Sequence, residues 1–377
     1  MLDLVLVGGG LSNGLIAWRL KQLRPDLSFA ILESGSSAGG NHTWSFHGTD
    51  VTKEQLAWLW VLVSKSWPSH DILFERLNRR VGGGYHSIRS DDFHLKLKEA
   101  LGDRLVLKTK AVDVQATHVT LASGETIEAG AVIDGRGFLE KPTGPCGYQK
   151  FLGLDVELAS PHGLEVPLLM DARVTQHGAF RFLYLLPWDE RRVLVEDTSY
   201  SNESALDVAL LRARIGEYLS ERGLSIKQVL REEAAALPIP LGGDAPRFTR
   251  PTSGVASGLF HATTGYSLPM AVDLADELAR REDLTAAALT PWLSQRAQRH
   301  WAGQAFFRLL NRMMFRAANP DERVKIFESF YQHDEALIAR FYAGTLTGFD
   351  MLTVLRRGAS TVPALKAIRA AFGAESR

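Results

Sequence analysis

The stretch from Leu2 to Glu33 constrains the fold of this chain more than any other, because it reads as apolar strand, glycine turn, helix, strand and acid in direct succession. Leu4, Val5, Leu6 and Val7 suit a strand buried on both faces, and Gly8, Gly9 and Gly10 follow at once. A helix from about Asn13 to Leu23 carries Leu15, Ile16, Leu20 and Leu23 on one face and stops before Arg24 and Pro25. Phe29 to Leu32 forms the next strand, closed by Glu33. Glycines admit a pyrophosphate to the backbone at a helix N-terminus, where unpaired N–H groups and the helix dipole favour negative charge. An acid after the second strand takes a ribose hydroxyl pair. The candidate nucleotide residues are therefore Gly8, Gly9, Gly10, Leu11, Ser12, Asn13, Gly14 and Glu33.

The spacing departs from the dinucleotide pattern at one place. Gly8 and Gly10 fit its first two glycines, Asn13 stands at the third, and Gly14 comes one residue late. The surrounding strand, helix and acid make the motif informative where glycines alone do not. Glu33 would repel a 2′-phosphate, which makes NADP a poor occupant of this pocket and leaves FAD or NAD. Further along, Ala131 to Ile133 is an apolar strand ending in Asp134, Gly135, Arg136 and Gly137. Its glycines allow close approach to the same nucleotide, which raises FAD above NAD.

A chain of 377 residues can bury a large core and hold two interwoven domains. Its 43 basic and 43 acidic residues balance, so charge gives no case for nucleic acid as a partner. The single cysteine, Cys146, precludes an internal disulfide and a zinc cluster and fits a reducing compartment. A turn beginning at Gly8 leaves no room for a cleaved signal peptide. No apolar run approaches the roughly 18 residues of a membrane span, so membrane contact is expected to be peripheral.

Between these landmarks, Asn41 to His47 is a loop whose His42, Trp44 and Phe46 could line a pocket beside the nucleotide; an ordinary surface loop is the competing reading. His42 and His47 lack a third ligand nearby, and no metal is expected. Thr52 to Val63 is helical, with Trp58, Trp60 and Trp67 as core or, alternatively, as membrane-interface residues. Tyr85 to Ser90 is a strand leading to Asp91, which would cap a helix to Leu101. Leu105 to Leu107, Ala111 to Val114 and Val119 to Leu121 are read as a small antiparallel ribbon.

From Gly147 to Pro240 the pattern changes. Gln149 to Leu158, Leu168 to Asp171, Phe180 to Leu186 and Val193 to Glu196 are strands of an antiparallel sheet, one face of which could floor a pocket. At the end of the last strand stand two adjacent carboxylates, Glu196 and Asp197, which must point to opposite faces. The one facing a buried cavity would have a raised pKa and could exchange a proton near neutral pH. A strand-end acid satisfied by Arg191, Arg192 or a helix N-terminus is the alternative. A helix from Ala205 to Leu219, a strand near Ser225 to Ala235 and a return through Leu237 to Gly242 follow. His261 to Tyr266 is a tight loop before a helix with Pro269 in its first turn, which places Gly265 and Tyr266 at the nucleotide. The remainder is helical, with Trp301 to Phe315, Phe341 to Arg357 and Val362 to Phe372 mixing aromatics and cations on faces that are either solvated or suited to anionic lipid headgroups.

Together, the Gly8 to Gly14 opening, the Asn41 to His47 loop, Tyr85 to Ile88, Glu196 to Thr198, His261 to Tyr266 and Phe306 to Phe315 resemble the bacterial lycopene β-cyclase family of FAD-dependent carotenoid cyclases over essentially the full length. The resemblance implies an α/β fold. A Rossmann-like FAD domain of glutathione-reductase type (1–146 with 241–285) joins an antiparallel-sheet substrate domain (147–240) and a helical C-terminal region (286–377). It implies lycopene and other acyclic carotenoids as substrates, β-carotene as product by way of γ-carotene, and reduced FAD as a cofactor that undergoes no net redox change, with NADPH as ultimate reductant. The essential acid falls on Glu196 with Asp197 beside it, and the pocket on His42, Trp44, Phe46, Tyr85, His86 and His261. It further implies a cytoplasmic protein peripheral to the inner membrane and association with other enzymes of the pathway.

The chemistry supports such a site independently. A long hydrocarbon offers no group to grip, so its site must be apolar and the enzyme must supply the proton. Protonation of the terminal double bond gives a tertiary cation, ring closure moves the charge to C5, and loss of the C6 proton yields the β-ring. Water must be kept out, or it would quench the cation. A flavin monooxygenase or dehydrogenase acting on an apolar substrate, and a non-catalytic carotenoid- or nucleotide-binding protein, are the rival readings.

Overall fold

The protein is described from a computed structural model covering residues 1–138 and 144–358. The opening unit builds the first sheet. Leu2–Val7 pairs in parallel with Phe29–Leu32 on one side and with Thr126–Asp134 on the other. Leu4, Leu6, Leu15, Ile16 and Leu20 are wholly buried in the layer between this sheet and its helices, each contributing roughly 1.5–3 kcal/mol by leaving water. The first helix spans Leu11–Leu23, starting directly at the glycine turn rather than at Asn13. Gly8 adopts a φ of 90°, and a Cβ there would lie 2.9 Å from the Gly135 carbonyl oxygen, so this position admits only glycine.

The displaced third glycine has a physical explanation. Asn13 is buried and donates its amide to the Val7 and Gly8 carbonyls, both at 3.0 Å, while its oxygen accepts from the Ser253 hydroxyl at 2.7 Å. It staples the turn to the strand. Gly14 takes over the close-packing role, since a Cβ there would meet the Phe93 ring at 2.5 Å.

Several expected elements differ in detail. Leu105–Val106 pairs in parallel with Phe29–Leu32 and extends the first sheet; the antiparallel ribbon consists of Ala111–Val114, His118–Leu121 and the start of Thr126–Asp134. The helix Ser90–Leu101 begins one residue before Asp91, so Asp91 and Asp92 sit in its first turn and favour the dipole without capping it. Residues 43–47 are a strand rather than loop, paired antiparallel with Tyr85–Arg89 in a three-stranded sheet that Lys65–Trp67 completes.

The second large sheet has seven strands in the order 226–240, 146–158, 192–201, 180–187, 168–171, 70–73 and 78–81. Its antiparallel part contains the expected strands, but the one expected to end at Glu196 runs over Arg192–Ser201, so Glu196 and Asp197 stand mid-strand; the return segment from Leu237 is still strand, pairing with Cys146–Gln149. The hairpin at His70–Val81 joins the far edge, with His70–Leu73 parallel to Leu168–Asp171. Helix Val208–Ser220, capped by Asp207, covers one face.

C-terminal helices cover the other face. The stretch from Trp301 to Phe315 breaks at Gln304 into the end of Ala286–Gly303 and a second helix, Ala305–Arg312, followed by a π-helical turn Met313–Ala317. Phe315 lies on Gly147, where a Cβ would approach its ring to 2.3 Å. Arg323 is buried and donates to the carbonyls of Met314, Tyr200 and Phe315 and to Asn202, which fastens these helices to the sheet. The expected helix Val362 to Phe372 lies outside the described residues.

Candidate active site

Two neighbouring features make up the site. The first is a cavity of about 530 Å³ between the glycine turn, Gly135 to Gly137, Gly254 and the start of the Leu268–Ala279 helix. Gly8, Gly10, Leu11, Ser12, Glu33, Gly135, Arg136, Gly137, His42 and Trp44 line it. A Cβ on Gly10 would meet no atom within 4 Å, so the backbone at the helix N-terminus opens straight into the cavity. Beside it the Ser12 hydroxyl is buried and has no partner. An open backbone cradle with an orphaned hydroxyl at a helix N-terminus fits a nucleotide pyrophosphate.

Glu33 reaches this cavity with its carboxylate fixed from behind: one oxygen accepts from the Gly9 N–H at 2.7 Å and the other from Gly35 at 2.6 Å. Asp134 does not reach outward. It is clamped between Arg136 and Arg250, and although burial raises its pKa, these two guanidiniums outweigh burial and hold it below the ordinary carboxylate value. Gly265, with a φ of 69°, packs toward Leu237 and Gln149, and the Tyr266 hydroxyl donates to Asp50 at 3.0 Å. Gly265 therefore faces the substrate sheet, while Tyr266 packs on the core of the first layer.

The second feature is the sheet face carrying Glu196. Strand pairing sets Tyr184, Glu196, Gly153 and Glu233 side by side on four adjacent strands. Residues directly opposite one another project to the same face. Most of their neighbours are buried outright, whereas Glu196, Tyr184, Ser45 and Trp44 are half-buried. Burial is the main reason the Glu196 carboxyl is pushed up to about 8; the charges of Glu233 and Asp197 add to it, and a hydrogen bond from the Thr198 hydroxyl opposes it. At neutral pH it carries its proton and can act as a general acid.

Around it lies a chain of hydroxyls. Tyr184 donates to Ser45 at 2.8 Å and lies 3.1 Å from the Tyr85 hydroxyl, and Ser45 is 2.7 Å from Ser87. Tyr85, expected in the substrate pocket, joins this chain through Tyr184. On the same sheet face, two and four residues along, Thr198 and Tyr200 lead to an apolar cavity of about 110 Å³ under the C-terminal helices, bordered by Met170, Tyr200, Thr263 and Phe327.

The remaining candidates go elsewhere. Asp197 points through the opposite face into a bidentate ion pair with Arg181, at 2.7–3.0 Å, fully buried. Phe46 is wholly buried in the core of the first layer. His86 is buried against Ser66, whose hydroxyl lies 2.8 Å from its Nδ1. His261 is fully buried, with Nε2 donating to the Phe341 carbonyl; burial brings its pKa down to about 4, so it is neutral and braces the loop it starts. His42 and Trp44 border the nucleotide cavity, and His42 Nδ1 donates to Glu233 at 2.6 Å.

A sequence profile described as "Lycopene cyclase protein" matches residues 3–368. The chain belongs to the lycopene cyclase family. A lycopene beta-cyclase from Pseudescherichia vulneris is 46% identical, over 99% of this chain and 97% of that protein. In fold, this lycopene cyclase family member is similar to a geranylgeranyl bacteriochlorophyll reductase-like protein of Thermoplasma acidophilum, with a TM-score of 0.63 and 13% identity over 95% of this chain and 96% of that one. It is also similar to Klebsiella pneumoniae HpxO complexed with FAD and uric acid, with a TM-score of 0.62 and 15% identity over 91% and 96%. These two establish a shared α/β flavoprotein fold.

Four polar residues of this lycopene cyclase escape a reading of sequence alone. Tyr184 and Glu233 sit on strands whose alternation was legible but whose register was not. His47 and Asp50 form a buried pair, Nδ1 to Oδ2 at 3.2 Å, between Tyr85, Tyr266 and Tyr342. The run from Trp44 to His47 signals it only once that run is recognised as a strand.

Proposed function

We propose that the chain is a lycopene β-cyclase that converts the acyclic ends of lycopene to β-rings, giving β-carotene by way of γ-carotene, with Glu196 as the proton donor. The observation that carries this is a carboxyl that burial pushes up to about 8, on a sheet face that runs on through Thr198 and Tyr200 into an apolar cavity. Glu196 delivers its proton to the terminal double bond, and the cation passes to C5 as the ring closes. The carboxylate left on Glu196 then takes the C6 proton, which forms the C5–C6 double bond, completes the ring and restores the acid. The hydroxyls of Tyr184, Tyr85 and Ser45 hold the polar rim of the site in a fixed arrangement, and the aromatic walls exclude water that would trap the cation as an alcohol.

FAD is the cofactor this reading assigns to the 530 Å³ cavity. Gly8 to Ser12 would receive its pyrophosphate and Glu33 its ribose, with Gly135 to Gly137 closing the other wall. Reduced FAD supplies an electron-rich ring that stabilises nearby positive charge with no net oxidation. NADPH is the proposed source of the reducing equivalents. Other acyclic carotenoids sharing the same end group are further substrates under this reading, and enzymes that make or consume them are candidate partners.

Among the described residues no helix is long and apolar enough to cross a membrane. Access to a substrate dissolved in a bilayer is assigned to the Gly348–Gly358 helix. Its Val354 and Leu355 border the apolar cavity while Phe349 and Leu352 are 78% and 54% exposed. This helix would rest on the cytoplasmic face of the inner membrane.

The reading is tested with holoenzyme and lycopene under anaerobic conditions with pre-reduced flavin. A cyclase turns over many substrate molecules without consuming reductant, and a flavin oxidase or dehydrogenase stops within one.

A further inference from the structure

Glu233 lies on the edge strand Ile226–Pro240, two strands from Glu196, with only Gly153 between them. Any other residue at 153 would place a side chain between the two acids; a Cβ there would come within 3.4 Å of Glu196 Oε2, so the Glu196 carboxyl already leans over the vacated space. Strands lie about 4.8 Å apart, which puts the two glutamate backbones about 10 Å from one another, within reach of their carboxyls.

The position of Glu233 is over-determined from the nucleotide side. His42 donates to it at 2.6 Å, Arg231 donates to the His42 carbonyl at 3.0 Å and to Thr43, and the Asn41 amide donates to the Glu232 carbonyl. These contacts fasten the segment that borders the nucleotide cavity to the edge of the substrate sheet.

We propose that Glu233 is a positioning residue for the cyclisation: anchored by His42 at the nucleotide cavity, it presents a second carboxylate to Glu196 across the space left by Gly153, and so holds the proton on Glu196. The inference rests on Glu196 being the proton donor. Its physical basis is that two carboxylates in one low-dielectric site do not both ionise. The charge of Glu233, fixed in place by its hydrogen bond with His42, favours the protonated form of Glu196, where the substrate needs the proton. The other groups facing or adjoining Glu196 are Tyr184 and Tyr85 on the hydroxyl side, Thr198 on its own strand and Asp197 behind the sheet. None of them supplies a fixed negative charge on the same face. Ordering of His42 around a bound nucleotide would tighten the same arrangement.

The test is the pH profile of anaerobic cyclisation by the Glu233→Gln holoenzyme, with FAD content measured alongside. The substitution keeps the shape of the side chain and removes its charge. The alkaline limb of activity is expected to move down by about one pH unit, with up to about tenfold lower rate at alkaline pH and near-equal rate in mild acid. An unmoved limb with full FAD content overturns the proposal. Infrared titration of the wild-type holoenzyme, with the Glu196 band assigned by difference from Glu196→Gln, keeps the question open to decision should Glu233→Gln lose FAD. Glu196 should retain its proton through neutral pH; a Glu196 band that vanishes at ordinary carboxylate pH overturns the proposal. Full activity in Glu196→Gln would instead sink the assignment of the donor itself, so the two failures are told apart.

Discussion

Glu196 and Asp197 are neighbours in sequence and lie on opposite faces of one sheet: the first shares its face with Tyr184 and has its carboxyl pushed up to about 8, the second is sealed into an ion pair with Arg181. Strand alternation separates them, and their surroundings then assign them different work. A buried guanidinium with two carboxylate contacts is a structural device; an acid beside tyrosines, with a second carboxylate two strands away on the same face, is a chemical one.

Breaking the structural device should cost stability in a characteristic way. Asp197→Ala leaves Arg181 buried without its partner and should destabilise the fold by about 3–5 kcal/mol, whereas Asp197→Leu combined with Arg181→Met should recover most of that loss. Thermal unfolding of the three proteins checks this. Cyclisation by the double variant would show that Asp197 gives no proton, and a stable but inactive double variant would return it to the chemistry.

Glu196 itself should make stability depend on pH. Its carboxyl ordinarily titrates near 4.5 and in the folded chain near 8. Below the lower value it is neutral in both states and costs nothing in linkage. Between the two values the unfolded chain has released the proton that the folded chain retains, so the folded state loses stability as pH rises, by at most about 1.4 kcal/mol per unit. Above the upper value the loss is complete. Relative to wild type, Glu196→Gln should therefore gain melting temperature progressively from mild acid to about pH 8 and level off beyond. A constant difference across that range would count against the buried, protonated state.

The nucleotide cavity makes a separable prediction. Gly10 has an ordinary φ of −69° and open space where a side chain would go, so Gly10→Val should fold yet fail to hold FAD. Ser12→Ala removes the orphaned hydroxyl and should weaken FAD binding by about three- to tenfold, the worth of one hydrogen bond. Flavin titration of the apoprotein followed by fluorescence reads both. Undiminished FAD affinity in Gly10→Val would place the cofactor elsewhere.

Membrane contact should depend on the two exposed apolar residues of the Gly348–Gly358 helix. Replacing both Phe349 and Leu352 with glutamate removes apolar area and adds repulsion from anionic lipid. Flotation with vesicles containing anionic lipid should show binding reduced by about tenfold or more, with FAD content unchanged. Equal flotation of the variant would assign the contact to another surface.

The parts of the fold legible in sequence were those whose pattern is local. The strand, turn and helix from Leu2 to Leu23 announce themselves because each residue's neighbours along the chain are also its neighbours in space. Asn13 departs from that motif because its amide bridges Val7, Gly8 and Ser253, a contact that spans most of the chain. Alternation alone separated Glu196 from Asp197. It could not show which of them met Arg181, because that depends on the pairing of two strands. The hairpin at His70–Val81 was missed since Asn78, Arg79 and Arg80 mask its alternation and it gains stability only at the edge of a sheet built by distant residues. Residue type alone points Phe46, His86 and His261 toward the pocket, and they are instead consumed by packing, by the Ser66 hydroxyl and by the Phe341 carbonyl respectively. Glu233 was invisible for the opposite reason: nothing local distinguishes it from Glu232, and only the register opposite Gly153 turns it toward the acid.

The most direct trial replaces one oxygen of one side chain. Purified wild-type and Glu196→Gln proteins, each saturated with pre-reduced FAD, are given lycopene in anaerobic vesicles, and the β-carotene and γ-carotene formed are quantified together with bound flavin. Loss of a positioned general acid should lower the rate by about a hundredfold or more while flavin content and melting behaviour stay at or above wild type. Cyclisation by the glutamine variant within a few-fold of wild type would contradict the role given to Glu196.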